Sequence, residues 1–110
     1  MKKDDTLYLE MMIDHLDAIR DYTPAKQSDF LTDLQKRDAI LLRLQALGEV
    51  MSHVSQEFRD QHPDWPWLEA IALRHTISHD YFAVSVSTIW KLISGDQLIK
   101  LRRKIAVILE

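Results

Sequence analysis

The chain has 110 residues, 46% of them hydrophobic and 28% charged, with a net charge of −3. That length fits one domain with one modest core, and the balance is ordinary for a globular protein. The acidic sign excludes a globally basic nucleic-acid binder, so RNA contact must come from a local patch; the lack of cysteine excludes disulfides, thiolate metal sites and a cysteine nucleophile.

The chain begins MKKDDTLYLE, turning acidic straight after Lys2 and Lys3. No apolar run approaches the roughly 18 to 20 residues of a membrane span, and no signal-peptide core follows the lysines. The expected location is the cytoplasm, without membrane contact. Only two Gly and three Pro occur, and no segment alternates apolar with polar, so the elements should be helices. The first starts near Asp4 or Asp5, acidic residues suited to a cap. Leu9, Met12, Leu16 and Ile19 follow at helical spacing, and Thr23 and Pro24 end it.

After the loop TPAKQSD, Ser28 suits a short turn through Phe30 and Leu31, and a main helix starts near Asp33. Ile40, Leu44, Leu47, Met51, Val54 and Phe58 recur at steps of four and three, the seam of one long helix packed along its neighbours. Gly48 lies inside it, at a cost of about 1 kcal/mol against Ala. Close approach of another helix, of this chain or of a second subunit, is the expected compensation.

HPDWP breaks the chain, and Pro66 suits the first turn of a third helix, whose apolar residues are Trp67, Ile71, Leu73 and Ile77. The β-branched and Ser residues after Tyr81 weaken that helix and predict a bend. Val86, Ile89, Trp90 and Ile93 mark a short fourth helix. After Ser94-Gly95-Asp96, Leu98, Leu101, Ile105 and Ile108 mark the last. The expected fold class is all-α: an antiparallel up-down bundle of four main helices plus a short one, in a single domain over residues 1–110.

Three groups of residues carry candidate chemistry. His75 and His79, four apart, share a helical face, the spacing of zinc proteases. Those place Glu beside the first His, whereas Thr, Ile and Ser intervene here, so no metal and no cofactor are expected. Lys100, Arg102, Arg103 and Lys104 would attract RNA phosphates, or form a solvated face at the C-terminal half of a helix. Trp65 and Trp67 would stack bases, or close the core over the third helix.

The third group is Arg74, His79 and Tyr81 in RHTISHDY, residues 74 to 81. His exchanges a proton near neutral pH. Arg presents a permanently charged fork that matches phosphate oxygens. Both suit RNA cleavage by attack of the 2′-OH on the adjacent phosphorus, without a metal. In a continuous helix His79 lies about 140° around from Arg74, so a bend or a second subunit is needed to bring them to one substrate.

RHTISHDY resembles the hallmark of the HepT toxins of the HEPN superfamily: Arg, four residues, His, one residue, Tyr. PDWPWLEAIALRH resembles the family's Pro-Trp helix start, LGEV at 47–50 resembles its Ile-Gly-Glu-Ala segment, and Trp90 falls where the family often has Trp. His75 departs from the more usual Asn. The resemblance implies a helical homodimer with two motifs facing each other in a cleft, acting as a metal-independent endoribonuclease toxin. It implies Arg74 and His79 as the catalytic pair and RNA as substrate. It also implies an antitoxin partner, the nucleotidyltransferase MntA, which transfers AMP from ATP to Tyr81. Tyr81 would also contact substrate and His75 would support it; Glu49 would either pair with Arg74 or stand as a solvated helix residue. The alternative is a non-catalytic helical binding module or adaptor for a nucleotidyltransferase.

Overall fold

The computed structural model describes residues 1–110 as seven α-helices and one 3₁₀ turn, without a strand. They are α1 (Lys3–Tyr22), α2 (Gln27–Thr32), α3 (Leu34–His53), α4 (Gln56–Gln61), α5 (Trp67–His79), the 3₁₀ turn (Tyr81–Ala83), α6 (Val86–Ser94) and α7 (Gln97–Leu109). The all-α expectation holds; α2 falls where the short turn was expected, and α4 adds to the five expected helices. α3 is the centre of the bundle, packed on α1 along one side and α5 along another, while α7 covers α1. Twenty buried apolar side chains form one continuous core.

Helix boundaries follow local chemistry. α1 ends where Thr23 donates from its backbone N–H and its hydroxyl to the Ile19 carbonyl, just before Pro24. Asp33 caps α3, its carboxylate accepting from the Lys36 N–H at 3.0 Å. The start of α1 differs from expectation. Asp5 does not cap it; its carboxylate is buried and accepts from the Ser55 N–H at 2.8 Å and the Ser55 hydroxyl at 2.6 Å.

That contact also corrects the second helix. The apolar spacing runs through Phe58, but α3 stops at His53. Ser55 caps a new helix, α4, accepting from the Phe58 N–H. Phe58 still reaches the core, now from α4, where it meets Trp65 and Trp67.

α3 and α5 run antiparallel and touch at Gly48. A Cβ there would lie 2.5 Å from the Ala70 carbonyl oxygen and 2.6 Å from the Arg74 Cβ. The compensation expected for Gly48 is therefore intramolecular: it admits the backbone of α5.

Candidate functional site around the end of α5

α5 carries Arg74, His75 and His79 and stops at His79, where Asp80 caps it by donating from its backbone to the Thr76 carbonyl. Tyr81 thus leaves the helix and sits on the 3₁₀ turn. The expected bend is present and comes directly after the second His.

Arg74 turns toward α3. Its Nη2 lies 2.7 Å from the Glu49 carboxylate, which selects the pairing from the two readings of Glu49. Its Nε is buried without a hydrogen-bond partner. What orients the guanidinium is the ion pair with Glu49, beside the close contact of the Arg74 Cβ with Gly48. Glu49 also accepts from His53 at 3.2 Å.

His79 does not join Arg74. Its ring is exposed and lies 4.5 Å, centroid to centroid, from that of His75. The two imidazoles pair, as the four-residue spacing requires, but no group of three or more His, Cys, Asp or Glu able to hold a metal ion forms anywhere in the chain. Two imidazoles alone fall short of the three protein ligands of a catalytic zinc.

Tyr81 reaches back to α3 as well. Its hydroxyl donates to the Asp38 carboxylate. Partial burial, then the bond to Asp38 and its charge, hold the phenol above the usual tyrosine range, opposed by Arg37. Tyr81, Phe82 and Arg37 line the mouth of a small cavity of ≈ 200 Å³ floored by Phe30, Leu41 and Ile89. Phe82 is almost wholly exposed, at 99%. A larger groove of ≈ 620 Å³, between α3, α5, α6 and α7, contains none of the three motif residues.

Asp38 escaped the sequence reading. One signal for it existed: it stands eleven residues before Glu49, three turns of helix, and so within about 20° of the same face.

The other two groups resolve toward structure. Lys100 pairs with Asp96, Arg102 with Asp17 and Lys104 with Asp64, so three of the four basic residues are already neutralised. The Asp17 carboxyl is held below its usual range, chiefly by its hydrogen bond from Arg102. Trp65 and Trp67 are buried and stack on each other at 5.5 Å, and the Trp67 indole donates to the His62 carbonyl. They close the core over α5.

The sequence matches a described family over almost the whole chain: residues 12–108 fit the model for "Ribonuclease HepT-like". The chain belongs to the HepT-like family, of HEPN type. Among its relatives, a probable ribonuclease HepT of Thermococcus cleftensis is 31% identical over 87% of this chain and 88% of its own length. A Methanocaldococcus jannaschii protein named "Gamma-glutamylcyclotransferase and putative RNase" is 31% identical over the full chain. This HepT-like chain spans only half the length of that second relative. No solved structure matches it significantly. No helix is long and apolar enough to cross a membrane.

Proposed function

We propose that this HepT-like chain is a toxin ribonuclease that works as a homodimer in the cytoplasm and is neutralised by transfer of AMP to Tyr81. One geometric observation carries the reading. Arg74 is turned to α3 and His79 is turned away from it, so one copy offers a phosphate binder and a proton-transfer group that do not converge. Two copies around a two-fold axis supply two of each, and an isologous interface places both sets about one cleft. The reading takes residues 1–110 as one domain.

In the cleft, one His79 takes the 2′-OH proton as the oxygen attacks phosphorus, and the other protonates the leaving 5′ oxygen. Arg74 stabilises the added negative charge at the phosphorus. His75, against His79, orients it or binds substrate. The chemistry needs no metal, because acid, base and cation are all side chains. An antitoxin of the MntA nucleotidyltransferase type would add AMP to Tyr81, whose oxygen lies two residues beyond His79. The added phosphate then competes for Arg74 with the RNA phosphate.

Cleavage of total RNA by the purified chain tests this. His79→Ala and Arg74→Ala should each lower the rate by about a hundredfold or more while the circular dichroism stays helical. A chelator should leave the wild-type rate unchanged. Folded variants that cleave at the wild-type rate would overturn the assignment. One observation favours the adaptor reading instead: Arg74 is already engaged by Glu49. A growth assay separates them, since an adaptor expressed alone is not toxic.

A further inference from the structure

The Tyr81 hydroxyl is tethered across the fold to Asp38, a residue 43 positions earlier in the chain. The direction of that bond matters. A phenol that donates its hydrogen keeps the lone pairs of its oxygen free. A carboxylate in hydrogen-bond reach of a hydroxyl is also the relation of a base to the nucleophile it activates. Tyr81 as a residue remains 40% exposed, so the ring stands at the surface rather than in the core. Arg37, next to Asp38 in sequence, lines the same small cavity as Tyr81 and supplies a cation beside it. A proton acceptor, a partly exposed phenol and a positive charge thus meet at one place.

We propose that Asp38 is the positioning residue and proton acceptor of a modification site at Tyr81, built to receive a nucleotidyl group from a nucleoside triphosphate carried by a second protein. This rests on the AMP-transfer reading above and adds to it what the chain itself contributes. In the step, Tyr81 Oη bonds to the α-phosphorus and the bond from that phosphorus to the pyrophosphate oxygen breaks. Pyrophosphate leaves with the electron pair, and the phenolic proton passes to Asp38 Oδ1. No oxidant or reductant is involved.

The product cannot return to the starting geometry. The ester oxygen has no hydrogen to donate, and its phosphodiester is negative. Once Asp38 gives its proton to water, two anionic groups face each other in a partly desolvated place, which repels them. The modified ring loses its tie to α3, with the Arg37 cation left to offset part of the added charge. Modification both labels Tyr81 and unties it.

The experiment incubates the full chain with the MntA-type nucleotidyltransferase of the same genome and α-labelled ATP, with peptide mass spectrometry to place the label. Asp38→Asn keeps the shape and an acceptor oxygen but is not a base. It should lower the kcat of transfer by roughly a hundredfold, with KM for the chain within about twofold. Asp38→Glu should restore most of the rate, and Tyr81→Phe should take no label. Wild-type kcat in Asp38→Asn would overturn the inference and leave the AMP-transfer reading standing. An unlabelled wild-type chain would overturn that reading; acetylation of Tyr81 by N-acetylimidazole then tests the pair without a partner. Faster acetylation in wild type than in Asp38→Asn supports Asp38 as the proton acceptor, and equal rates refute it.

Discussion

Asp38 and Glu49 stand on one face of α3, eleven residues and about 16 Å apart, and each holds one end of the motif: Asp38 binds the Tyr81 hydroxyl and Glu49 the Arg74 guanidinium. His79, between them in sequence, has no such tie. The residues proposed to bind phosphate and to be modified are thus fixed to the bundle. The one proposed to move protons is exposed and lies beside the His75 ring.

Removing the Arg74 tether should therefore cost activity more than stability. The Glu49–Arg74 pair is partly solvated, with side chains 45% and 34% exposed, so Glu49→Ala should lower unfolding free energy by less than about 1 kcal/mol. RNA cleavage should fall about tenfold, equivalent to ~1.4 kcal/mol of transition-state stabilisation. Urea denaturation and single-turnover cleavage of one preparation measure both. A stability loss with unchanged cleavage would reduce Glu49 to a structural role.

Leu42 lies between the two carboxylates on that face and is 63% exposed. An apolar side chain there suits burial between copies. Wild type should sediment at twice the 12.9 kDa chain mass, and Leu42→Glu, which places like charges opposite each other at a two-fold interface, should shift it toward monomer. RNA cleavage should fall with the dimer fraction. A strict monomer for wild type at micromolar concentration contradicts the composite cleft.

Tyr81→Phe deletes the acceptor oxygen and keeps the ring. Whatever toxicity the variant retains should survive co-expression with the antitoxin, and its intact mass should show no added AMP. Full neutralisation of Tyr81→Phe would move the mechanism to simple steric binding.

Gly48→Ala should destabilise the fold by about 1–3 kcal/mol, since the new Cβ would press on the α5 backbone, which cannot swing aside. Thermal unfolding should show the loss. A larger residue should also displace Arg74, whose Cβ is the other neighbour, so activity should fall faster than stability along the series Ala, Val, Leu.

Acid should weaken the fold partly through His15. Its Nδ1 lies 3.2 Å from an Arg43 nitrogen. Burial and then the Arg43 charge hold its pKa below the ordinary value, against a smaller opposing effect of Asp14. The unfolded chain therefore takes up this proton first as pH falls, so the stability present above about pH 6.5 declines below it until the folded imidazole also protonates. Urea midpoints for wild type and His15→Gln should diverge between about pH 7 and pH 5, with wild type losing more. Parallel curves would remove His15 from the account.

The apolar spacing of Leu9 to Ile19, of Ile40 to Met51 and of Leu98 to Ile108 was enough to read α1, α3 and α7, because burial of one face decides a helix in sequence and in space alike. The same rule misread the α3–α4 break. Phe58 keeps the spacing although the chain bends before it, and the contact found at the bend, Asp5 with Ser55, joins residues fifty positions apart. The site divides similarly. The string RHTISHDY is legible as residues, but the directions of Arg74 and Tyr81 are set by carboxylates on another helix. No local period of α5 contains Asp38, and the helix end at His79 moves Tyr81 off the face that seven-residue spacing assigns it.

Gly48 acts as the zero mark of a scale between α3 and α5. Sliding α3 by one turn would push Leu44 or Ser52 into a gap that has no room even for a methyl group. The two helices therefore mesh at a single setting, and that setting puts Glu49 at Arg74 and Asp38 at Tyr81 together. Neither pairing can be moved along α3 without the other, so a residue with no side chain fixes the spacing of a site it does not enter.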